Sequence, residues 1–264
     1  MRILFIADIV GRPGRRVVEA LLPRLLKDQR PDVVVANGEN LAAGYGVTPG
    51  LVADLLGHGV DVITSGNHIW DRQDGVALLG SQPRLLRPAN YPPENPGQGH
   101  YLVAVDEQTV AVVNLQGRAF MSDIDDPFRI GRALIDELST KTNIVVIDFH
   151  AEATAEKQAF ARFIDGRASA VIGTHTHVPT ADARVLPGGT AYVTDAGMTG
   201  SHGGVIGFRA DKAIQRAMLG RRVRLGPADG DLRFQGVIID VDPGSGQALR
   251  IERIDLAHEY EEER

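Results

Sequence analysis

Asp61-Val62-Ile63-Thr64-Ser65-Gly66-Asn67-His68-Ile69-Trp70-Asp71 joins a short apolar run to an amide, an imidazole and a carboxylate. An unbroken apolar run that stops at polar residues is the pattern of a strand covered on both faces, with its end turned toward a ligand. The pattern recurs along the chain. The run at 2–8 ends in Asp8, that at 32–36 in Asn37-Gly38-Glu39-Asn40, that at 143–149 in His150, and that at 168–172 in Gly173-Thr174-His175-Thr176-His177. Helical spacing fills the intervals: Val17, Val18, Leu21, Leu22, Leu25 and Leu26 follow a Gly11-Arg12-Pro13-Gly14 turn, with Pro23 expected to kink or stop that helix. Thr48 caps a second helix that has Pro49 at its first position and stops at Gly57 and Gly59. Strand, polar loop and helix in alternation mark parallel βαβ units, which gather ligands outside the carboxyl ends of their strands.

The middle and end of the chain depart from that rhythm. Residues 83–99 turn to Pro, Asn and Gly and are expected to form a long surface excursion. Runs at 101–105 and 109–114 flank Asp106-Glu107-Gln108 at hairpin distance. Helices are expected around Phe128–Leu138 and at 155–164, strand-like runs at 181–186 and 190–194, a helix near 211–219, and closing strands at 232–241 and 248–255. Mixed pairing of this kind implies a second sheet against the first. The expectation is a four-layer α/β/β/α sandwich of two mixed sheets, one domain over 1–264, with a solvated, frayed acidic tail at 259–264.

Composition bounds the chemistry. The 28 basic and 34 acidic residues leave a net charge of −6, which argues against bulk nucleic-acid binding but not against a small phosphorylated ligand. Cysteine is absent, so thiolate metal sites, disulfides and cysteine nucleophiles are excluded, and any metal takes oxygen and nitrogen ligands. No apolar run approaches the roughly 20 residues of a membrane span, and the expectation is a cytoplasmic protein without a membrane partner.

Taken singly, the polar clusters have ordinary readings. Asp8 suits a helix cap, Glu39 a turn, and His150 a satisfied polar residue at a strand end. His175 and His177 stand two apart, a spacing that in extended chain points both rings to one side. Together the clusters point to a metal site, because parallel strands ending together bring Asp8, Glu39, Asn40, Asn67, His150, His175 and His177 to one rim. That many donors exceed the about six that one ion takes, so two ions are expected, with Glu39 able to bridge them. Paired ions roughly 3.5–4 Å apart suit in-line displacement at phosphorus.

In order and spacing, Asp8, Gly66-Asn67-His68, His150 and Gly173-Thr174-His175-Thr176-His177 resemble the calcineurin-like metallophosphoesterases. The forms Asp8-Ile9-Val10-Gly11, Asn37-Gly38-Glu39-Asn40, Gly66-Asn67-His68-Ile69-Trp70-Asp71 and Asp148-Phe149-His150-Ala151-Glu152 resemble more narrowly the YmdB-like branch. The resemblance implies the four-layer sandwich, two iron or manganese ions, and phosphodiesterase activity on small esters, notably 2′,3′-cyclic nucleotides. It places Asp8, Glu39, Asn40 and His177 at one ion and Glu39, Asn67, His150 and His175 at the other. His68 becomes the general acid for a metal-bound hydroxide attacking phosphorus, with Asp71 as a candidate to orient its ring. One departure stands out: the wider superfamily has a histidine two residues after the first aspartate, and this chain has Val10, so Asn40 is the candidate replacement.

Two other readings stay open: a phosphomonoesterase on the same site, and a regulatory nucleotide-binding protein with low turnover. Arg118 and the 197–204 loop with His202 either line the pocket or serve as ordinary turns. The basic cluster Arg209, Lys212, Arg216, Arg221, Arg222 and Arg224 is a solvated helix face, or touches substrate or a neighbouring subunit of a homo-oligomer.

Overall fold

The computed structural model describes residues 1–258; the acidic tail at 259–264 lies outside the described residues. In chain order the elements are β1 (Arg2–Ile6), β2 (Asp8–Ile9), α1 (Gly11–Gln29), β3 (Val33–Asn37), α2 (Pro49–Gly57), β4 (Val62–Thr64), a 3-10 turn over Asn67–Trp70, and α3 (Gln73–Leu79). There follow β5 (His100–Val105), β6 (Gln108–Gln116), α4 (Pro127–Leu138), β7 (Ile144–His150), α5 (Thr154–Phe163) and β8 (Ala170–Thr174). The chain continues with β9 (Arg184–Val185), β10 (Ala191–Val193), β11 (Met198–Ser201), α6 (Ala210–Leu219), β12 (Leu232–Val241) and β13 (Ala248–His258).

Two mixed sheets result. One has the order β2-β11-β12-β1-β3-β4 with β13 also on β12, and the other the order β5-β6-β7-β8-β10-β9. The parallel neighbours β1-β3-β4 and β6-β7-β8-β10 aim their carboxyl ends at one rim. Strand alternation then sorts one apolar run into two cores. Ile3, Phe5, Val33 and Val35 meet Val110, Val112, Ile144, Val146 and Ile172 of the other sheet in the central layer. Their neighbours Leu4, Ile6, Val34 and Ala36 face α1 and α2 through Val17, Leu22, Val52 and Leu55. On the far side Val113, Val145, Ile147 and Val171 face Ile135 and Leu138 of α4 and Phe160 of α5. Three cores between four layers make the α/β/β/α sandwich.

Several local expectations give way. Gly11–Gly14 opens α1 instead of forming a separate turn, with Gly14 donating to Val10 O at 3.0 Å. Pro23 does not stop the helix, which runs on to Gln29. Both Pro23 and Glu19, whose carbonyl Pro23 leaves unpaired, are exposed, so water can take that carbonyl while Val18, Leu22 and Leu25 stay anchored. The strand-like run at 181–186 shrinks to two residues of β9. The 197–204 loop contains β11, a buried strand paired with β2 and β12.

The largest correction concerns 83–99, whose 85–90 stretch is tied into the fold while 92–98 stays largely at the surface. Leu85, Leu86, Arg87 and Asn90 are buried. Leu86 donates to Ile63 O at 2.8 Å in the first sheet, and Ala89 donates to Asn114 O at 2.8 Å in the second. Its Pro, Asn and Gly content shapes a strap that joins the two sheets near their carboxyl ends.

Candidate metal centre

Each expected ligand sits where a parallel strand ends. Asp8, Glu39, Asn40 and Asn67 come from the first sheet, and His150, His175 and His177 from the second. The structure brings all seven together. Asp8 Oδ1 lies 3.7 Å from His177 Nε2. The Asn40 amide is 3.2 Å from His177 Nε2 and 3.2 Å from Glu39 Oε1. Glu39 Oε1 lies 3.2 Å from His150 Nε2, which also faces Asn67 Oδ1 at 3.2 Å and His175 Nδ1 at 3.1 Å. Asp8, Glu39, Asn40, His150 and His177 are buried.

This packing fits cations better than protons. One imidazole nitrogen carries at most one hydrogen, yet His150 Nε2 faces Glu39 Oε1, Asn67 Oδ1 and His175 Nδ1 at once, more electron-rich atoms than a single proton can bridge. A single positive ion can accept from all four. Asp8 Oδ1 is a buried oxygen with no hydrogen-bond partner among the described residues, a costly condition that a cation relieves. Glu39, His150 and His175 hold ligand atoms within 4.8 Å of one another. An all-oxygen-and-nitrogen set of this kind suits divalent transition ions.

Electrostatics without ions tells the same story. Burial disfavours the charged form of Glu39, but the His150, His68 and His175 imidazoles hold its carboxyl well below the usual carboxylate range. Burial likewise opposes charge on Asp8, and the nearby His177 and His150 imidazoles together outweigh it, so that carboxyl is also lowered. His177, buried but paired with Asp8, is pushed up to about 9. His150 is raised as well, because Glu39 overcomes its burial. Burial and the neighbouring His150 drive His175 down to about 3. The buried carboxylates thus favour positive charge at His150 and His177.

Behind the ligands lies a layer that the motifs did not reveal. Asp148, buried in β7, accepts from Thr64 Oγ1 at 2.5 Å, Thr174 Oγ1 at 2.6 Å and Asn37 Nδ2 at 2.9 Å. Because Thr174 gives its hydroxyl proton to Asp148, it can only accept at 2.9 Å from His150 Nδ1. That fixes the tautomer and leaves the Nε2 lone pair of His150 facing the centre. Asn37 therefore serves Asp148 and is not a ligand candidate. Strand alternation was the available signal, since residues 148 and 150 share a face of β7. His175 Nε2 meets Glu152 Oε2 at 3.1 Å, a contact with no comparable signal in the sequence.

Gly66 is required by close approach: a Cβ there would lie 2.1 Å from His150 Nε2. The next two residues divide their work. Asn67 faces His150, while His68 donates its backbone N–H to Glu39 Oε2 at 3.0 Å and sets Nδ1 2.7 Å from Asp71 Oδ2. The half-buried His68 ring also stands edge-on to Tyr45, with centroids 5.0 Å apart. Arg118 is exposed and paired with Asp126 at 3.3 Å, and His202 turns Nε2 to Met198 O at 3.2 Å. The basic cluster begins on α6, which buries none of its side chains, and Arg209 pairs there with Asp211 at 3.1 Å.

With this geometry in view, comparison with known proteins is decisive. The family described as YmdB-like protein matches residues 4–254. The chain belongs to the YmdB-like family. A YmdB-like relative from Bacillus subtilis, named 2′,3′-cyclic-nucleotide 2′-phosphodiesterase, is 47% identical over 254 residues, covering 96% of each chain. A crystal structure of a hypothetical protein from Thermus thermophilus superposes with a TM-score of 0.91 at 41% identity, covering 98% of this chain and 100% of that one. A structure from Mycoplasma pneumoniae described as a novel phosphatase gives 0.92 at 31% identity, covering 97% and 93%. No helix among the described residues is long and apolar enough to cross a membrane.

Proposed function

We propose that this YmdB-like chain is a metal-dependent phosphodiesterase that opens small cyclic phosphodiesters, 2′,3′-cyclic nucleotides foremost. The reading takes Asp8, Glu39, Asn40 and His177 as holding one ion and Glu39, Asn67, His150 and His175 as holding a second, both iron or manganese. The observation that carries it is the meeting of seven oxygen and nitrogen donors from five strand ends, with Glu39 between the two groups. The Bacillus subtilis relative's name supplies the ester class. Bound there, the ions supply charge neutralisation at the phosphoryl oxygens and a water of lowered pKa.

The chain's own residues do the rest. Asp71 accepts from Nδ1–H of His68, which leaves Nε2 as the atom that hands a proton to the departing ribose oxygen. The backbone bond from His68 to Glu39 ties the acid to the ligand set, so proton donor and ions keep a fixed relation. Thr174 and Asp148 hold the His150 ring, and Gly66 gives that ring room.

A phosphomonoesterase reading has the Mycoplasma pneumoniae phosphatase in its favour. Metal analysis of the purified protein, then rates on a 2′,3′-cyclic nucleotide and on the matching 3′-monophosphate, separates the two. The proposal expects about two metals per chain and preference for the cyclic ester. Preference for the monophosphate would move the assignment to phosphatase, and less than one tightly held metal would overturn the metal mechanism.

A further inference from the structure

Beside the metal centre stands an aromatic pair that no step above uses. Tyr45 stacks on Phe208 with centroids 5.4 Å apart and planes inclined by 22°, and it meets the His68 ring edge-on at 5.0 Å. Phe208 is buried, whereas Tyr45 is half-exposed. The loop that carries Tyr45 is bent to hold it there. Ala43, Gly44 and Gly46 all have positive φ, at 57°, 94° and 69°. A Cβ on Gly44 would lie 2.6 Å from the Phe208 ring, and one on Gly46 would lie 3.2 Å from His68 O. Glycine takes such angles freely, so the strain falls on Ala43, and the two glycines are required by the close approach of Phe208 and His68. Here they set one aromatic ring against Phe208 and beside the proposed acid.

Deepening the phosphodiesterase reading, on which it rests, we infer that Tyr45, backed by Phe208, is the seat on which the nucleobase of a cyclic nucleotide stacks. The chemistry of the substrate class fixes the distance. In a 2′,3′-cyclic nucleotide the oxygen that leaves and the base belong to the same ribose. The base must therefore lie one sugar's width from the group that protonates the oxygen, and the Tyr45 ring adjoins His68. Every nucleobase has a π-face, so stacking on a tyrosine is sequence-tolerant. Among the described residues the Tyr45 hydroxyl makes no hydrogen bond, and the seat reads ring area in place of base edges. Purine esters should therefore be favoured over pyrimidine esters, without discrimination between adenine and guanine. Arg216 on α6 is near enough to act on the Tyr45 hydroxyl electrostatically, which places a cation at the edge of the seat.

The test compares the metal-loaded full chain on adenosine 2′,3′-cyclic phosphate and on the 2′,3′-cyclic phosphate of 1-deoxyribose, which lacks a base. Tyr45→Ala should lower kcat/KM for the nucleotide roughly tenfold relative to the abasic ester, the scale of one base-on-aromatic stack, with the loss in KM and not in kcat. Tyr45→Phe should restore the preference, and Tyr45→Leu, which fills the space without a π-face, should not. A direct readout is the Kd of adenosine 3′-monophosphate, weakened in parallel by Tyr45→Ala and Tyr45→Leu. Equal loss on both esters, or restoration by Tyr45→Leu, would make Tyr45 a packing residue and overturn the seat alone. Wild-type protein that opens neither ester would sink the phosphodiesterase reading and the seat with it.

Discussion

Removing the His68 imidazole while Asn67 and Glu39 stay in place separates proton delivery from metal holding. His68→Ala is expected to keep its metal, measured by elemental analysis, and to lose about 10²–10⁴-fold in turnover of a cyclic nucleotide, whose alkoxide needs a proton. A p-nitrophenyl ester, whose phenolate leaves unaided, should lose far less; equal losses would take His68 out of the proton path. His177 makes a second prediction. Its folded-state value, raised from 6.5 to about 9 by Asp8 against the cost of burial, means that in metal-free protein the charged ring stabilises the fold fully below pH 6.5. That contribution fades as pH rises through about 9. On the proposed ligation by His177, metal displaces this proton, so loading at neutral pH should release it, which calorimetry in buffers of different ionisation enthalpy measures. No net release would mean the ring is already neutral.

At the same scale, sequence reading and structure part company in an instructive way. The seven proposed donors could be picked out because each follows an apolar run and has a side chain of a kind that binds metals. Asp148 was not, because it lies inside a run that reads as plain strand, and Thr174 was not, because a threonine beside two histidines carries no mark of its own. Tyr45 sits in a glycine loop where no chemical pattern marks it.

Among the elements, the turn after β8 is under the most strain. His175 and His177 are non-glycine residues at φ 94° and 64°. Left-handed residues cost about 1–3 kcal/mol each, so neighbours must impose the shape. Lys157 donates to Thr174 O at 2.7 Å and to Asp195 Oδ2 at 2.8 Å, and Asp195 in turn accepts from Thr176 N at 3.1 Å and Thr176 Oγ1 at 2.7 Å. The ion pair is 1% exposed on both sides. Lys157→Met strands the Asp195 charge and is expected to cost about 3–5 kcal/mol in denaturant unfolding, with metal affinity falling too. In Lys157→Met/Asp195→Leu, stability should partly return but metal affinity should not, because Thr176 then loses its acceptor. Recovery of both together would reduce the pair to core filling. None of this was readable beforehand: residues 157 and 195 stand far apart in sequence, and a lysine on an amphipathic helix ordinarily faces water. The 83–99 strap was misread for a related reason, since its composition describes turns and says nothing of where its backbone bonds end.

For the molecule as a whole, the sandwich was legible because two-faced apolar runs leave little choice of partner. The three cores lie away from the ligands and do not need them. Chelation should therefore abolish hydrolysis and lower Tm while leaving one cooperative transition, with a loss of about 4 kcal/mol for each ion whose free metal had stood at a thousand times its Kd. Collapse to a molten state on chelation would contradict this, and re-addition of metal should restore both quantities.

The strap at 83–99 has a consequence for how the centre is tuned. Four of the seven donors ride on one sheet and three on the other, so the gap between them is a gauge of the spacing between layers. With Leu86 bonded to Ile63 and Ala89 to Asn114, the strap acts as a spacer bar across that gauge. Metal affinity then becomes a ruler for the central core. A bulkier side chain at Ala170, buried between the sheets and far from any ligand in chemistry, would register first as weakened metal binding.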